Sequence, residues 1–294
     1  MHGGKGSWRP VGGPREEGTA TGSSPVAVVT GAARGVGHAI AGRLARDGYR
    51  LVLGDVDGHR LHRAAGELGG EHALVEVDIA GAEAAERLAG AAEAHFGRLD
   101  VWVNNAGVVP LGRLDDQEAG LLAYACQVNL TGTVHGCRAA ALRMRPQGGG
   151  HIVNIASVLA VKPLPGFAAY SATKAGVLAL SRSLHRELRV DGIHVTAILP
   201  YMVHTTAAAG IRPRFVPALR PEQVADAVAG VLQRPRRPQV FVPRAARLLS
   251  LTALLPHRVG DMIDALLGTD AIAQDADAAV RGPYETELRE RGTT

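Results

Sequence analysis

The chain of 294 residues is 46% hydrophobic, 4% aromatic and 20% charged, with a formal net charge of +4 at pH 7. This balance excludes global disorder and indicates one sizeable core with appendages. No apolar stretch reaches the length of about 20 residues that a membrane-spanning helix needs. Residues 1–24 lack the apolar run of a signal peptide and are rich in Gly, Ser, Thr and Pro, which predicts a flexible tail. We therefore expect a cytoplasmic protein.

Composition also limits the partners and the redox chemistry. A modest basic excess without a recognition motif or interleaved aromatic residues does not indicate a nucleic-acid partner. The only two cysteines, Cys126 and Cys137, lie in a predicted helix and provide neither a disulfide framework nor a CxxC motif. We expect both to be buried packing residues.

Short runs rich in β-branched residues alternate with helix-period segments from Pro25 onward. One of these segments, around 118–144, predicts a single long helix. Near-continuous apolar strands that alternate with helices predict a Rossmann-like, doubly wound α/β fold with a seven-stranded parallel sheet. Its ligand should lie beyond the carboxyl ends of the strands. The seven predicted strands read PVAVVT, RLVLGD, HALVEVD, LDVWVN, HIVNIAS, IHVTAIL and QVFVP.

Residues 25–243 are predicted to form this domain, and residues 244–294 to form a helical C-terminal extension. The extension shows helix-period segments at about 245–255, 258–267 and 271–290, with no strand among them. Arginines are concentrated before residue 258 and acidic residues after residue 261. The simplest interpretation is a solvated basic face that pairs with the acidic tail or a neighbouring subunit, and a membrane surface or an anionic substrate is the alternative.

A glycine-rich turn, TGAARGVG at 30–37, follows the first predicted strand and leads directly into a helix. The glycines permit a tight turn and close approach of the backbone to a diphosphate, and the N-terminus of the following helix attracts the anion. The turn therefore predicts a dinucleotide site. Its candidate cofactor-binding residues are Gly31, Arg34, Gly35, Val36 and Gly37.

Asp55 closes the second predicted strand, where a carboxylate can accept hydrogen bonds from ribose hydroxyls and would repel a 2′-phosphate. It thereby favours NAD over NADP. Arg34 argues the other way, because a guanidinium in the turn can bind that phosphate. Asp55 could also simply begin the turn that ends at Gly58.

Ser157 ends the fifth predicted strand, and Tyr170 and Lys174 follow one helical turn apart. A phenol with a pKa near 10 is a poor base at neutral pH, but a nearby ammonium stabilises the phenolate. We therefore expect Lys174 to lower the pKa of Tyr170 and Ser157 to hold the substrate oxygen by a hydrogen bond.

In this order of motifs the sequence resembles the short-chain dehydrogenase/reductase family, from about Pro25 to Pro243. The motifs that carry the resemblance are TGAARGVG at 30–37, Asp78, NNAG at 104–107, Asn129 in VNLTG, Ser157 and YSATK at 170–174. The resemblance implies that Asn129 completes a catalytic tetrad by holding a water that links Lys174 to solvent, and that no metal is required.

The same resemblance implies further cofactor contacts. Asp78 and Ile79 would flank the adenine, and Tyr170 and Lys174 would also touch the nicotinamide ribose. The remaining implied contacts are backbone contacts of Asn105, Ala106 and Gly107, and contacts of Val203 and Thr205 with the carboxamide. Where the family usually has Pro-Gly, this chain has Pro200-Tyr201, which restricts the backbone and places a large ring near the pocket.

The implied activity is hydride transfer between a secondary alcohol or ketone and NAD, with Tyr170 as general acid or base. We expect a lipophilic small substrate, because the candidate pocket residues are mostly apolar. A lid is expected at about 207–219, where Arg212 and Arg214 would suit an anionic substrate, and His204 is expected to be a loop residue. The candidate pocket residues are Val108, Val109, Leu159, Phe167, Tyr201 and Met202.

Two other functions are compatible with these residues: an NADP-dependent carbonyl reductase and a non-catalytic dinucleotide sensor. The resemblance implies a homo-oligomer built through the helices around 118–144 and 168–190. The segment 244–258, which is apolar and bears arginines, is a candidate for docking on a partner subunit or a membrane surface.

Overall fold

The computed structural model describes residues 24–212, 217–235, 237–248 and 257–292. Its seven strands form one parallel sheet in the order β3-β2-β1-β4-β5-β6-β7, which confirms the predicted doubly wound fold. The five inner strands are almost entirely buried because helices cover both faces, whereas the edge strands β3 and β7 are partly exposed. They are β1 (Val26–Thr30), β2 (Arg50–Asp55), β3 (His72–Glu76), β4 (Val101–Asn104), β5 (Gly150–Ile155), β6 (Ile193–Pro200) and β7 (Gln239–Val242).

Three apolar clusters form the core, and the two larger ones lie on opposite faces of the sheet. Helices α1 and α7 pack together on one face, and α3 and α5 on the other. Because all strands run parallel, their carboxyl ends meet along one edge, where loops leave room for a ligand. The described helices are α1 (Gly35–Arg46), α2 (Gly58–Gly66), α3 (Ala84–Phe96), α4 (Ala119–Cys126), α5 (Gly132–Met144), α6 (Ala168–Glu187), α7 (Pro221–Gln233), α8 (His257–Leu267) and α9 (Ala278–Gly292).

The single helix predicted around 118–144 is divided in the structure. A five-residue π-helical segment, Gln127–Thr131, separates α4 from α5 and carries Asn129. Such segments widen the helix locally and are frequent at functional sites. The expectation of two buried cysteines is wrong for Cys126, which is exposed, whereas Cys137 is buried. Burial raises the pKa of the Cys137 thiol to about 12.

The C-terminal segment folds back onto the sheet domain. The described part of its predicted first helix is helical: a 3₁₀ turn at Arg244–Ala246 leads into the α-helical residues Arg247 and Leu248. Residues 249–256 lie outside the described part. Helix α9 packs directly on α4, so closely that a Cβ on Gly120 would lie 2.4 Å from the carbonyl oxygen of Gly292.

Two sequence predictions fall largely outside the described residues. These are the flexible tail, of which residues 1–23 are not described, and most of the proposed docking segment at 244–258. Within the described ranges, no helix combines the length and the apolar character needed to cross a bilayer.

Candidate active site

The glycine-rich turn between β1 and α1 is shaped for close approach by a ligand. Gly31 and Gly35 adopt φ angles of +65° and +56°, in the left-handed region that favours glycine. A Cβ on Gly37 would lie 1.9 Å from the carbonyl oxygen of Gly31. No side chain caps α1, so the first amide groups of this helix are available to an anion. The turn therefore fits a diphosphate.

The segment after β4 fixes this turn from behind. The Asn105 side-chain amide donates to the carbonyl oxygens of Thr30 and Gly31, at 2.9 and 3.1 Å. The Thr30 hydroxyl accepts from the backbone amides of Asn105 and Ala106, at 2.9 and 3.0 Å. Thr30 was not among the predicted site residues, and its position as the first residue of TGAARGVG was the only signal.

Asp55 lies at the end of β2, beside the turn. Its Oδ2 accepts from the Ala33 amide at 2.9 Å, and its Oδ1 accepts from the Asp57 amide at 3.1 Å. The second bond closes the local turn that begins at Asp55, which is the alternative role that the sequence allows for this residue. A carboxylate has about four acceptor sites, so Asp55 can still accept bonds from ribose hydroxyls.

Asp78 and Ile79 follow β3 at the same end of the sheet. Asp78 accepts from the Ala80 amide at 2.9 Å and from the Tyr124 hydroxyl at 3.2 Å. Burial raises the pKa of Tyr124 to about 12, so this phenol stays protonated as a donor. Asp78, Ile79 and Tyr124 all line the cavity described below.

Ser157, Tyr170 and Lys174 converge where β5 and α6 meet. The Lys174 side chain is buried, and its Nζ donates to the carbonyl oxygen of Ile155 at 2.8 Å. This ammonium lies 5.8 Å from the centroid of the Tyr170 ring. The Ser157 hydroxyl accepts from the Leu159 amide at 3.1 Å, and Ser157 and Tyr170 both line the cavity described below.

The protonation of this pair differs from the prediction. Burial raises the pKa of Tyr170 to about 12, and the nearby Ser157 hydroxyl offsets this only in part. Burial also lowers the pKa of Lys174 to about 8. The expected lowering of the Tyr170 pKa by Lys174 is therefore wrong for this structure, because desolvation of the phenolate dominates. The neutral phenol is the form that can donate a proton.

Asn129 acts on the backbone next to this group. Its side chain accepts from the Val108 amide and donates to the Val108 carbonyl oxygen, both at 2.8 Å, and also donates to the Thr173 hydroxyl at 3.2 Å. A Cβ on Gly107 would lie 3.2 Å from Asn129 Oδ1 and 3.4 Å from Lys174 Nζ. Asn129 thus lies beside Lys174 and holds the Val108 backbone in the loop after β4, while its water relay stays a prediction.

One continuous cavity of about 380 Å³ joins the turn, Asp55 and the Ser157–Tyr170–Lys174 group. All six predicted pocket residues line it, as do Val203 and Thr205. His204 and Arg212 are exposed, and Arg214 lies outside the described residues. The C-terminal segment adds lining residues that were not predicted, namely Asp264, Thr269, Ile272, Tyr284 and Arg291.

Tyr201, which stands in place of the usual glycine, is accommodated without backbone strain. Its amide donates to the Val242 carbonyl oxygen at 2.8 Å. Throughout the described ranges no residue other than glycine has a positive φ. The ring therefore shapes the pocket and does not distort the loop.

Helix α9 closes the cavity over its catalytic end. The Val109 amide donates to the Tyr284 hydroxyl at 2.9 Å. Arg281, which is 1% exposed, donates to the carbonyl oxygens of Val109 and Ala207 at 2.5 and 3.1 Å. The buried residues Arg281, Tyr284 and Leu288 have helical spacing. Because one of the three is an arginine, the hydrophobic pattern of the sequence does not identify this buried face.

Arg34 forms an ion pair with the same helix. Its guanidinium donates to both carboxylate oxygens of Glu287, at 3.0 and 3.3 Å. Arg34 also lines the cavity. The sequence placed this arginine beside the cofactor, but it did not predict the carboxylate that pairs with it.

Comparison with known proteins agrees with this geometry. The family model described as short chain dehydrogenase matches residues 25–214. An uncharacterized oxidoreductase of Staphylococcus aureus strain USA300 is 34% identical over 216 residues, which are 73% of this chain and 94% of the relative. An uncharacterized oxidoreductase of Staphylococcus epidermidis is 35% identical over 210 residues, 71% of this chain and 91% of the relative.

A similar solved structure is an alcohol dehydrogenase from the archaeon Thermococcus sibiricus in complex with 5-hydroxy-NADP. It has a TM-score of 0.67 and 30% sequence identity, and the match covers 74% of this chain and 96% of that one. The chain belongs to the short-chain dehydrogenase/reductase family, and it is an oxidoreductase.

Proposed function

We propose that this oxidoreductase uses NAD to interconvert a compact, lipophilic secondary alcohol and its ketone. The observation that carries the proposal is the single cavity that joins the glycine turn and Asp55 to Ser157, Tyr170 and Lys174. A continuous cavity lets one dinucleotide reach from the diphosphate site to the catalytic group. The similar archaeal structure, described as an alcohol dehydrogenase, supports the choice of an alcohol as substrate.

The residues present fit a dinucleotide. The turn at 30–37 leaves space that a Cβ would fill and presents the N-terminus of α1. Asp55 has acceptor sites left for ribose hydroxyls, and Ile79 offers an apolar surface for the base. When bound, the nicotinamide donates or accepts the hydride.

In the direction of ketone reduction, the neutral phenol of Tyr170 donates its proton to the carbonyl oxygen. The Ser157 hydroxyl already accepts from Leu159, so its own proton is available to orient the same oxygen. The Lys174 ammonium stabilises the phenolate that remains. In alcohol oxidation the same groups act in reverse, and that direction requires the phenolate form of Tyr170, which burial disfavours.

The substrate class follows from the catalytic end of the cavity. Its lining is mostly apolar, and the dinucleotide must share the same cavity. A polyol or sugar would need more hydrogen-bonding partners than these side chains provide. We therefore assign a substrate with one reacting oxygen and a compact apolar body.

NAD is the proposed cofactor because Asp55 stands at the end of β2 and Arg34 is already paired with Glu287. An NADP-dependent carbonyl reductase is the second candidate, since Arg34 lines the cavity and the similar archaeal structure holds an NADP derivative. The two candidates differ in nucleotide affinity, which can be measured without knowing the substrate.

The test replaces Tyr170 by Phe and measures turnover with a panel of lipophilic ketones and secondary alcohols. Loss of the proton-transfer group should lower kcat by about 10²- to 10⁴-fold while NADH binding stays within about twofold. Tyr49→Phe is the matched control, because Tyr49 is buried in the core away from the cavity lining. Similar activities of the two variants would refute the proposed role of Tyr170.

A further inference from the structure

Helix α9 brings a carboxylate to the cavity end where the adenosine ribose would lie. Glu287 holds the Arg34 guanidinium with both oxygens, and its Oε1 also accepts from Arg291 at 3.0 Å. The three side chains are only 27% to 37% exposed, so they are partly shielded from solvent. One carboxylate is therefore shared by two cationic side chains that both line the cavity.

Arg34 is fixed beside the expected ribose position. The amide of its neighbour Ala33 donates to Asp55 at 2.9 Å, which ties the turn to the end of β2. Asp57 lies two residues after Asp55. Its pKa is lowered chiefly by the hydrogen bond that it accepts from the Arg60 amide, and the nearby charges of Arg291 and Arg34 lower this pKa further. The Arg60 guanidinium also pairs with Asp57, at 3.5 Å. Three guanidinium groups here therefore meet three carboxylates, those of Asp55, Asp57 and Glu287, so no net positive charge remains for a 2′-phosphate.

We propose that Glu287 is a residue that determines cofactor specificity: by pairing with Arg34 and Arg291, it excludes the 2′-phosphate of NADP and selects NAD. The proposal rests on the proposed dinucleotide site. An arginine in the turn is suited to bidentate binding of a phosphate, and it must release Glu287 before it can do so.

The family motifs do not point to this residue. The family model ends at residue 214, and Glu287 lies far beyond that limit. The Arg34–Glu287 contact spans 253 positions in the sequence and exists because α9 folds back over the cavity. In this chain the extension thus contributes to nucleotide selection, in addition to closing the catalytic end of the cavity.

The experiment titrates the purified full chain with NADH and NADPH and follows nicotinamide fluorescence, which requires no substrate. Glu287→Gln should lower the dissociation constant of NADPH by about tenfold, because a charge-assisted hydrogen bond at a partly exposed position contributes about that much. The dissociation constant of NADH should change by no more than about twofold. Glu290→Gln is the matched control, because it removes the same charge from an exposed position of the same helix. It should shift neither affinity by more than about twofold.

A double-mutant cycle identifies the cation involved. Arg34→Ala should weaken NADPH binding at least about fivefold more in the Glu287→Gln background than in the wild type, because only there is the guanidinium available. The proposal is overturned if Glu287→Gln shifts both nucleotides in parallel, if it shifts neither, or if the cycle shows no coupling. Failure of the wild type to bind either nucleotide would instead overturn the proposed function.

Discussion

Replacement of Arg281 by Met should detach α9 from the catalytic end of the cavity. The buried guanidinium donates to Val109 and Ala207 and also to Glu285 Oε1 at 2.9 Å, and it stacks 5.2 Å above the Tyr284 ring. Methionine retains the apolar stem but leaves these acceptors without their donor. Breaking a buried charged network of this kind costs about 3–5 kcal/mol.

The cost should be local, because α9 packs on the surface of the sheet domain and can open without global unfolding. A loss of about 3 kcal/mol corresponds to a roughly hundredfold faster amide exchange, since each 1.4 kcal/mol is a factor of ten. Hydrogen exchange with mass spectrometry should show this increase in peptides from 278–292 and little change in β1.

The matched control is Arg289→Met on the same helix. Arg289 is mostly exposed and pairs with Glu118 at 3.7 Å, so its loss should change exchange only slightly. Equal exchange rates in Arg281→Met and the wild type would refute the argument that this guanidinium holds the helix in place.

Three further changes have defined outcomes. Gly37→Ala should abolish nucleotide binding, because the added Cβ would lie 1.9 Å from the carbonyl oxygen of Gly31. Gly90→Ala in α3 is the control: its Cβ would have no atom within 4 Å, so this variant should bind the nucleotide normally. Lys174 should contribute a rise of stability in urea between about pH 8 and pH 10, since its folded pKa is about 8 against 10.5 for an unperturbed lysine and it loses its proton first. The raised pKa of Cys137 acts in the opposite direction above about pH 9, so the contribution of Lys174 is read from a comparison with a variant. Lys174→Met should remove this rise of roughly 1–3 kcal/mol, and an unchanged slope would contradict the assignment. Asp55→Ala should reduce the preference for NADH over NADPH, and the ratio of the two dissociation constants tests this.

The sheet and the clustering of Ser157, Tyr170 and Lys174 in one cavity could be predicted because their signals are local in the sequence. Each strand is a short β-branched run, the turn at 30–37 follows β1 directly, and Tyr170 and Lys174 lie one helical turn apart. The division of the helix around 118–144 was missed, since a π-helical segment has no distinctive residue pattern. The higher pKa of Tyr170 was missed for another reason: burial depends on the whole fold, whereas the spacing to Lys174 shows only proximity.

The role of the C-terminal extension could not be predicted because its contacts join distant parts of the chain. Arg281 and Glu287 look like ordinary charged residues of a solvated helix. Only the folded chain shows that one is buried against Val109 and that the other pairs with Arg34. A charge pattern indicates that acidic and basic segments can attract each other, but it does not identify the pairs.

The most direct test of the central claim is isotope transfer. The protein is incubated with NAD and a panel of compact secondary alcohols that carry deuterium at the carbinol carbon, and the reduced nucleotide is examined by mass spectrometry. We predict deuterium in the NADH for at least one apolar alcohol and a strong loss of this signal in Tyr170→Phe. Tight NADH binding without deuterium transfer from any alcohol, and without oxidation of NADH by the matching ketones, would contradict the proposed function.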